Sequence, residues 1–227
     1  MMKEILSKVD FRISPKAFSR ANYQVELIFD GLKKVHKRNF NNLLDVGGGF
    51  DGRYRKILSS ITRKYLNLEV KKGRNLDIVA TAYRIPKPAA SFDLVTLFMV
   101  LEHLSEPLLA LKECNRVLEK GGFLVLTTVQ YWHTHSYPSD YYRYTKYGLL
   151  YLLRKTGFKV TKIWSHGGPF LVLFHVVELN LPDAVRTLYS ILLYRLSDWL
   201  DWKLFAHSDN RKPNNDSVGW SVIAQKI

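Results

Sequence analysis

Short apolar runs of five to nine residues, each bounded by glycine, proline or charged positions, punctuate this chain. They predict strands at 42–46, 64–69, 76–80, 93–98, 122–129, 158–164 and 218–226. Most are apolar almost throughout rather than alternating, as strands covered on both faces should be. Helical spacing predominates between them. A helix over 15–37 is predicted from Ser14-Pro15, a cap followed by proline at the first helical position. Others are predicted over 52–62, over 106–119 from Ser105, and over 146–156 from Thr145 to the stop at Gly157. Strand–helix alternation of this kind predicts an α/β fold, a doubly wound Rossmann-like sheet with helices on both faces. Right-handed crossovers then carry every loop that follows a strand to one edge, where ligands bind.

The rhythm breaks once. Between the sixth and seventh strands lie an apolar stretch (169–182), an amphipathic one (183–205) and a polar, proline-containing tract (207–217) that reads as a loop. The expected organisation is one domain: an N-terminal helical cap (1–40), a Rossmann-like core (41–166), a helical insertion (167–216) and a closing strand (217–227).

The first strand ends in "LLDVGGGFDG", where Gly47, Gly49 and Gly52 satisfy G-x-G-x-x-G after a strand and before a helix. Glu69 closes the second strand 20 residues after Gly49, where a carboxylate accepts hydrogen bonds from ribose hydroxyls. Asp45 separates two classes of ligand. Two residues before the first glycine, it would repel a pyrophosphate, and it would favour a ligand bearing an ammonium and a sulfonium. S-adenosyl-L-methionine is therefore expected in preference to a nicotinamide dinucleotide.

Further motifs, in order along the chain, carry a resemblance. "DIVATAYRIPKPAASFDLV", "VLEHLSEPLLALKECNRVLEKGGFLVLTT" and "PSDYYRYTKYGLLYLLRKTGFKV" follow the glycine motif. Together they make the chain resemble the class I S-adenosylmethionine-dependent methyltransferases, in particular members that modify small molecules, glycans or lipids. The resemblance implies a seven-stranded sheet whose last strand, "GWSVIAQK", is antiparallel. It also implies cofactor roles for Asp45, Gly47, Gly48, Gly49, Glu69, Thr81, Ala82, Tyr83 and Phe98. Thr81 stands where an aspartate often meets the adenine amine. The expected activity is methyl transfer to a small polar or lipid-linked acceptor, with a sugar-type hydroxyl foremost.

A hydroxyl acceptor calls for a base, and histidines near the carboxyl ends of the fourth and fifth strands are the candidates. His133 is the first choice and His103, in "LEHL", the second. The aromatic tract 130–145 around His133, His135, Asp140 and Arg143 suits an acceptor, with Arg143 available for a carboxylate or phosphate. His133-Thr134-His135 offers no clear third ligand, so no metal is expected.

Charge alters the list of partners. The net charge is +14, and the first 75 residues hold 17 Lys or Arg against 7 Asp or Glu. That keeps a nucleic-acid methyltransferase as the alternative, although no Asn-Pro-Pro-Tyr-type loop is present. A non-catalytic protein that retains the cofactor fold is the other alternative. For 170–205 three readings stand: a lid, a homodimer contact or peripheral membrane contact. Arg186, Arg195 and Lys203 against Asp183, Asp198 and Asp201 make the amphipathic stretch less basic than a usual membrane-surface helix. The lone cysteine, Cys114, excludes an intrachain disulfide. With no leader-like or span-length apolar stretch, a cytoplasmic location is expected, possible contact with a membrane surface aside.

Overall fold

Each of the seven runs predicted above as strands contains a strand. The computed structural model describes residues 40–50, 52–74, 76–205 and 216–227. The predicted cap and helix at 15–37, Asp51 and most of the polar tract, 207–215, lie outside the described residues. The strands are β1 Phe40–Val46, β2 Thr62–Glu69, β3 Ile78–Val79, β4 Phe92–Phe98, β5 Leu118–Val129, β6 Phe158–His166 and β7 Gly219–Lys226. The helices are α1 Arg55–Leu58, α2 Pro107–Val117, α3 Lys146–Lys155, α4 Pro169–Leu179 and α5 Asp183–Phe205, with a 3-10 turn at Leu101–His103.

One seven-stranded sheet has the order β3-β2-β1-β4-β5-β7-β6. Strands β1 to β5 run parallel. β7 is antiparallel to both its neighbours, β5 and β6. The expected seven-stranded Rossmann-like sheet with an antiparallel last strand is therefore the observed fold.

The two faces of the sheet bury different sets of side chains. Leu44, Val46, Leu68, Val95, Leu97, Leu124, Leu126, Val222 and Ala224 join α2 and α3 in the larger core. Alternate positions, Leu43, Tyr65, Leu94, Phe98, Phe123, Val125 and Ile223, form a second core with Tyr54 and Leu58 around α1. Each fully buried Leu contributes roughly 1.5–3 kcal/mol of transfer free energy, so this two-sided burial dominates the stability.

Three elements differ from the sequence expectation. The helix predicted over 52–62 is a single turn, Arg55–Leu58. Ser59 and Ser60 favour turns, and the β-branched Ile61 and Thr62 favour extension, so β2 begins early and Thr62 pairs with Phe40. The helix expected to reach residue 119 stops at Val117, because Leu118 already pairs with Phe92. β3 shrinks to two residues paired with Leu68 and Glu69.

The stretch between β6 and β7 folds into a helical pair. Asp201 of α5 is buried and accepts from the amides of Gly168 (2.7 Å), Phe170 (3.0 Å) and Leu171 (2.9 Å). It thereby satisfies the orphan donors at the start of α4. Phe174 stacks on Tyr189 with ring centroids 5.0 Å apart. Outward, the pair exposes Leu173, Val176, Leu188, Ile191, Leu192, Leu196 and Trp199. No described helix is long and apolar enough to cross a membrane.

Candidate active site

The parallel strands deliver five loops to one edge, and the site candidates lie there. Beneath the glycine loop runs a row of polar side chains at alternate strand positions, where apolar ones would be the norm. Asn67, Asp45 and Thr96 stand in register on β2, β1 and β4, all fully buried. Asp45 accepts from Thr96 Oγ1 at 2.6 Å and from the Tyr65 hydroxyl at 2.8 Å. Asn67 Nδ2 donates to the Gly49 carbonyl at 2.9 Å. The row thus fixes the loop from below.

Asp45 sits under the loop rather than at its mouth. Burial pushes its carboxyl up to about 6, against the lowering effect of the Thr96 and Tyr65 hydrogen bonds. Tyr65 is pushed upward too, by burial first and then by the Asp45 charge. Gly47 has φ +73°, and a Cβ there would press on Val100. A Cβ on Gly48 would overlap the Asp45 carboxylate and approach Asn67 Oδ1 to 2.6 Å. Both positions therefore require glycine.

Glu69 ends β2 half-buried, its Oε1 accepting from the Val70 amide at 2.8 Å. Thr81, Ala82 and Tyr83 follow β3. Their loop is held by a clamp: Arg116 donates to the carbonyls of Ile85 (3.0 Å) and Lys87 (2.9 Å), and Glu113 accepts from the Ile85 amide (2.8 Å). Arg116 also pairs with Glu113, which holds the Glu113 carboxyl below its usual range. Phe98, at the end of β4, is buried against Tyr54.

Beyond β4 and β5, two loops are stitched into one ledge. The Glu102 carbonyl accepts from the amides of Tyr141 (2.9 Å) and Tyr142 (3.2 Å). The Tyr144 hydroxyl donates to the Leu101 carbonyl at 3.1 Å, and His103 Nδ1 meets the Ser139 carbonyl at 2.6 Å. Glu102 itself is fully buried. Its Oε2 accepts from Thr128 at 2.9 Å, and burial raises its pKa.

His103 and His135 meet edge to face with ring centroids 4.7 Å apart, and His133 lies 5.9 Å from His135. Desolvation, and then neighbouring His135 and Arg143, hold the His133 imidazole below the usual histidine range.

Arg143 has a different role from the one expected. All five of its N–H groups are used within the loop. They reach both Asp140 oxygens (2.7 and 2.8 Å) and the carbonyls of Trp132 (3.1 Å), Tyr142 (2.8 Å) and His133 (2.9 Å). Arg143 therefore staples the loop and has no N–H left for an acceptor. The same pairing drives the Asp140 carboxyl far below its usual range. The tyrosines of this tract divide: Tyr144 is buried, whereas Tyr131, Tyr137, Tyr141 and Tyr142 are exposed.

Sequence reasoning singled out neither Tyr65 and Asn67 nor Glu102. The first two share the face of Glu69 at period two on β2, which is a readable signal. The position of Glu102 beside His135 has no counterpart in local sequence.

The residues present suit a cationic, phosphate-free ligand. Glu69 supplies a half-buried carboxylate at the glycine edge, and Asp45 adds a second from beneath the loop, out of reach of direct contact. The helix after the loop has only four residues, too short for the N-terminal field that holds a pyrophosphate. When bound, S-adenosylmethionine would be held by the backbone of Gly47–Gly49, by Glu69 and by the loop of Thr81–Tyr83.

Comparison with known proteins agrees. Residues 44–126 match the family described as a methyltransferase domain. An 80-residue stretch is 32% identical to an uncharacterized methyltransferase of Schizosaccharomyces pombe, covering 35% of this chain and 29% of that protein. A 113-residue stretch is 26% identical to a probable S-adenosylmethionine-dependent methyltransferase of Mycolicibacterium smegmatis, covering 45% of this chain and 43% of that protein. The chain thus spans less than half the length of the curated relatives it matches. Among solved structures, the [4+2]-cyclase SpnF superposes with a TM-score of 0.60 at 20% identity, over 96% of this chain and 84% of that one. An S-adenosylmethionine-dependent methyltransferase from Mesorhizobium loti gives 0.53 at 16% identity, over 83% and 92%.

Residues 44–126 are thus similar to a methyltransferase domain, and the sheet has the fold of the superposed structures. The cofactor that this similarity implies is S-adenosyl-L-methionine.

Proposed function

We propose that this chain is an enzyme that transfers the methyl group of S-adenosylmethionine to a small polar or lipid-linked acceptor, with a sugar-type hydroxyl as the nucleophile. One observation carries this reading. The ledge after β4 and β5 holds His133 and four exposed tyrosines on the same sheet edge as the glycine loop. Exposed aromatic faces suit a sugar ring, whose axial hydrogens pack on them while its hydroxyls stay wet.

When bound, the cofactor supplies an electrophilic methyl on a sulfonium, so the chain's task is placement. Gly47–Gly49 would let the backbone approach it, and Glu69 would accept from the ribose hydroxyls. The stitched ledge holds the acceptor in line, which is worth on the order of 7–11 kcal/mol in well-oriented systems. His133, kept neutral, takes the hydroxyl proton at a ring nitrogen.

The test is transfer of labelled methyl into fractionated cell extract. Label in glycan or lipid-linked sugar is the expected result. Label confined to nucleic acid or protein refutes the acceptor class, and cofactor binding without any transfer refutes catalysis. His133→Ala should lower kcat by about 10²–10⁴-fold with cofactor affinity intact.

A further inference from the structure

Glu102, His103 and His135 form a group whose ligand atoms all lie within 4.8 Å of one another. Two ring nitrogens in it already have partners. His103 Nδ1 faces the Ser139 carbonyl, which only accepts, so this nitrogen carries the proton. His135 Nδ1 faces the His133 carbonyl at 3.1 Å and Asp140 Oδ2 at 3.5 Å, again acceptors, so it too is protonated. In the neutral imidazoles the lone pairs therefore sit on Nε2. The third member is Glu102, whose Oε1 is buried and without a hydrogen-bond partner among the described residues. The group thus brings two imidazoles and a buried carboxylate oxygen without a partner close together, a set that a cation at its centre would satisfy.

We propose that Glu102, His103 and His135 bind a divalent transition-metal ion, with zinc the best match to two imidazoles and one carboxylate. Donor type selects it: imidazole with a single carboxylate suits zinc and its first-row neighbours, not magnesium or calcium. The surroundings match as well. A ligating histidine usually donates its second N–H to a carbonyl or carboxylate, and both rings do so here. The 4.8 Å span exceeds the roughly 3.3 Å between ligands of a tetrahedral zinc with bonds of about 2.0–2.1 Å. Closing the set needs a shift of about an ångström or more, within reach of loop side chains. The loop after β4 supplies two of the three ligands, Glu102 and His103, so of the His133-Thr134-His135 segment only His135 is required.

The test uses full-length protein without a polyhistidine tag, stripped with chelator and titrated with zinc chloride by calorimetry. One equivalent should bind with micromolar affinity or tighter. His135→Ala, a loop substitution outside the core, and Glu102→Gln, which keeps shape, should each weaken binding at least tenfold, about 1.4 kcal/mol. His175→Ala, outside the group, should leave binding unchanged. Cobalt chloride should give the intense visible absorption of a four- or five-coordinate ion. Failure of stoichiometric zinc uptake, equal uptake by His135→Ala, or a cobalt spectrum like that of the aqueous ion would each overturn the proposal. None of these readouts depends on methyl transfer, so metal binding and catalysis stand or fall separately.

Discussion

Asp45→Asn should abolish a pH dependence of stability that the wild-type chain carries. The carboxyl is fully buried, and burial raises its pKa from 3.8 to about 6. Below 3.8 the folded and unfolded chains are both protonated there, and the group is neutral to stability. Between 3.8 and about 6 the unfolded chain ionises while the folded one resists, so stability falls as pH rises. Above about 6 the folded group ionises as well, and the loss levels off. At 1.36 kcal/mol per pH unit, the loss over this window is about 3 kcal/mol. Asparagine keeps an acceptor for the hydroxyl of Thr96 or Tyr65 and has no charge to desolvate. Its imperfect match to two donors costs about 1 kcal/mol, independent of pH. Urea unfolding of both proteins from pH 4 to pH 8 isolates the group, because other titrations cancel in the difference. The variant should gain on the wild type steadily up to pH 6 and then hold its advantage. A difference that is flat across the range, or that moves the other way, would refute the account of a buried, desolvated carboxyl.

Three further outcomes are expected. Gly48→Ala should lower cofactor affinity at least tenfold and reduce the melting temperature, because its Cβ displaces Asp45 or Asn67; calorimetry and thermal melts check both. Glu69→Ala should weaken cofactor binding at least tenfold, about 1.4 kcal/mol, with the melting temperature little changed, since the side chain is only half-buried and among the described residues bonds only its neighbouring amide. Cys114 is fully buried, and its thiol is pushed up to about 12 by burial. A thiol reagent at pH 8 should leave it unlabelled in the native chain and label it fully in urea.

The strands were legible because burial on both faces leaves a mostly apolar signature. Leu43–Val46, Leu94–Phe98 and Phe123–Val129 show it plainly. Element ends were less legible where local preference and sheet pairing compete, as at Ile61-Thr62, drawn into β2, and at Leu118, drawn into β5. The glycine edge could be read because Asp45, Gly47–Gly49 and Glu69 are fixed by strand ends at regular intervals. The ledge could not. Glu102 and His135 are brought together by a tertiary stitch, and nothing in the spacing of either loop encodes it. Arg143 shows the same limit from the other side. Sequence gives the guanidinium but not its partners, and here Asp140 and three carbonyls take every N–H.

The placement of β7 between β5 and β6 has a consequence for biogenesis. Among the described residues β6 pairs only with β7, so until residues 219–226 leave the ribosomal tunnel its strand partner does not exist. Hydrogen-bonded pairing of β6 therefore comes only after β7 has been made, whereas β1 to β5 can pair with one another before it.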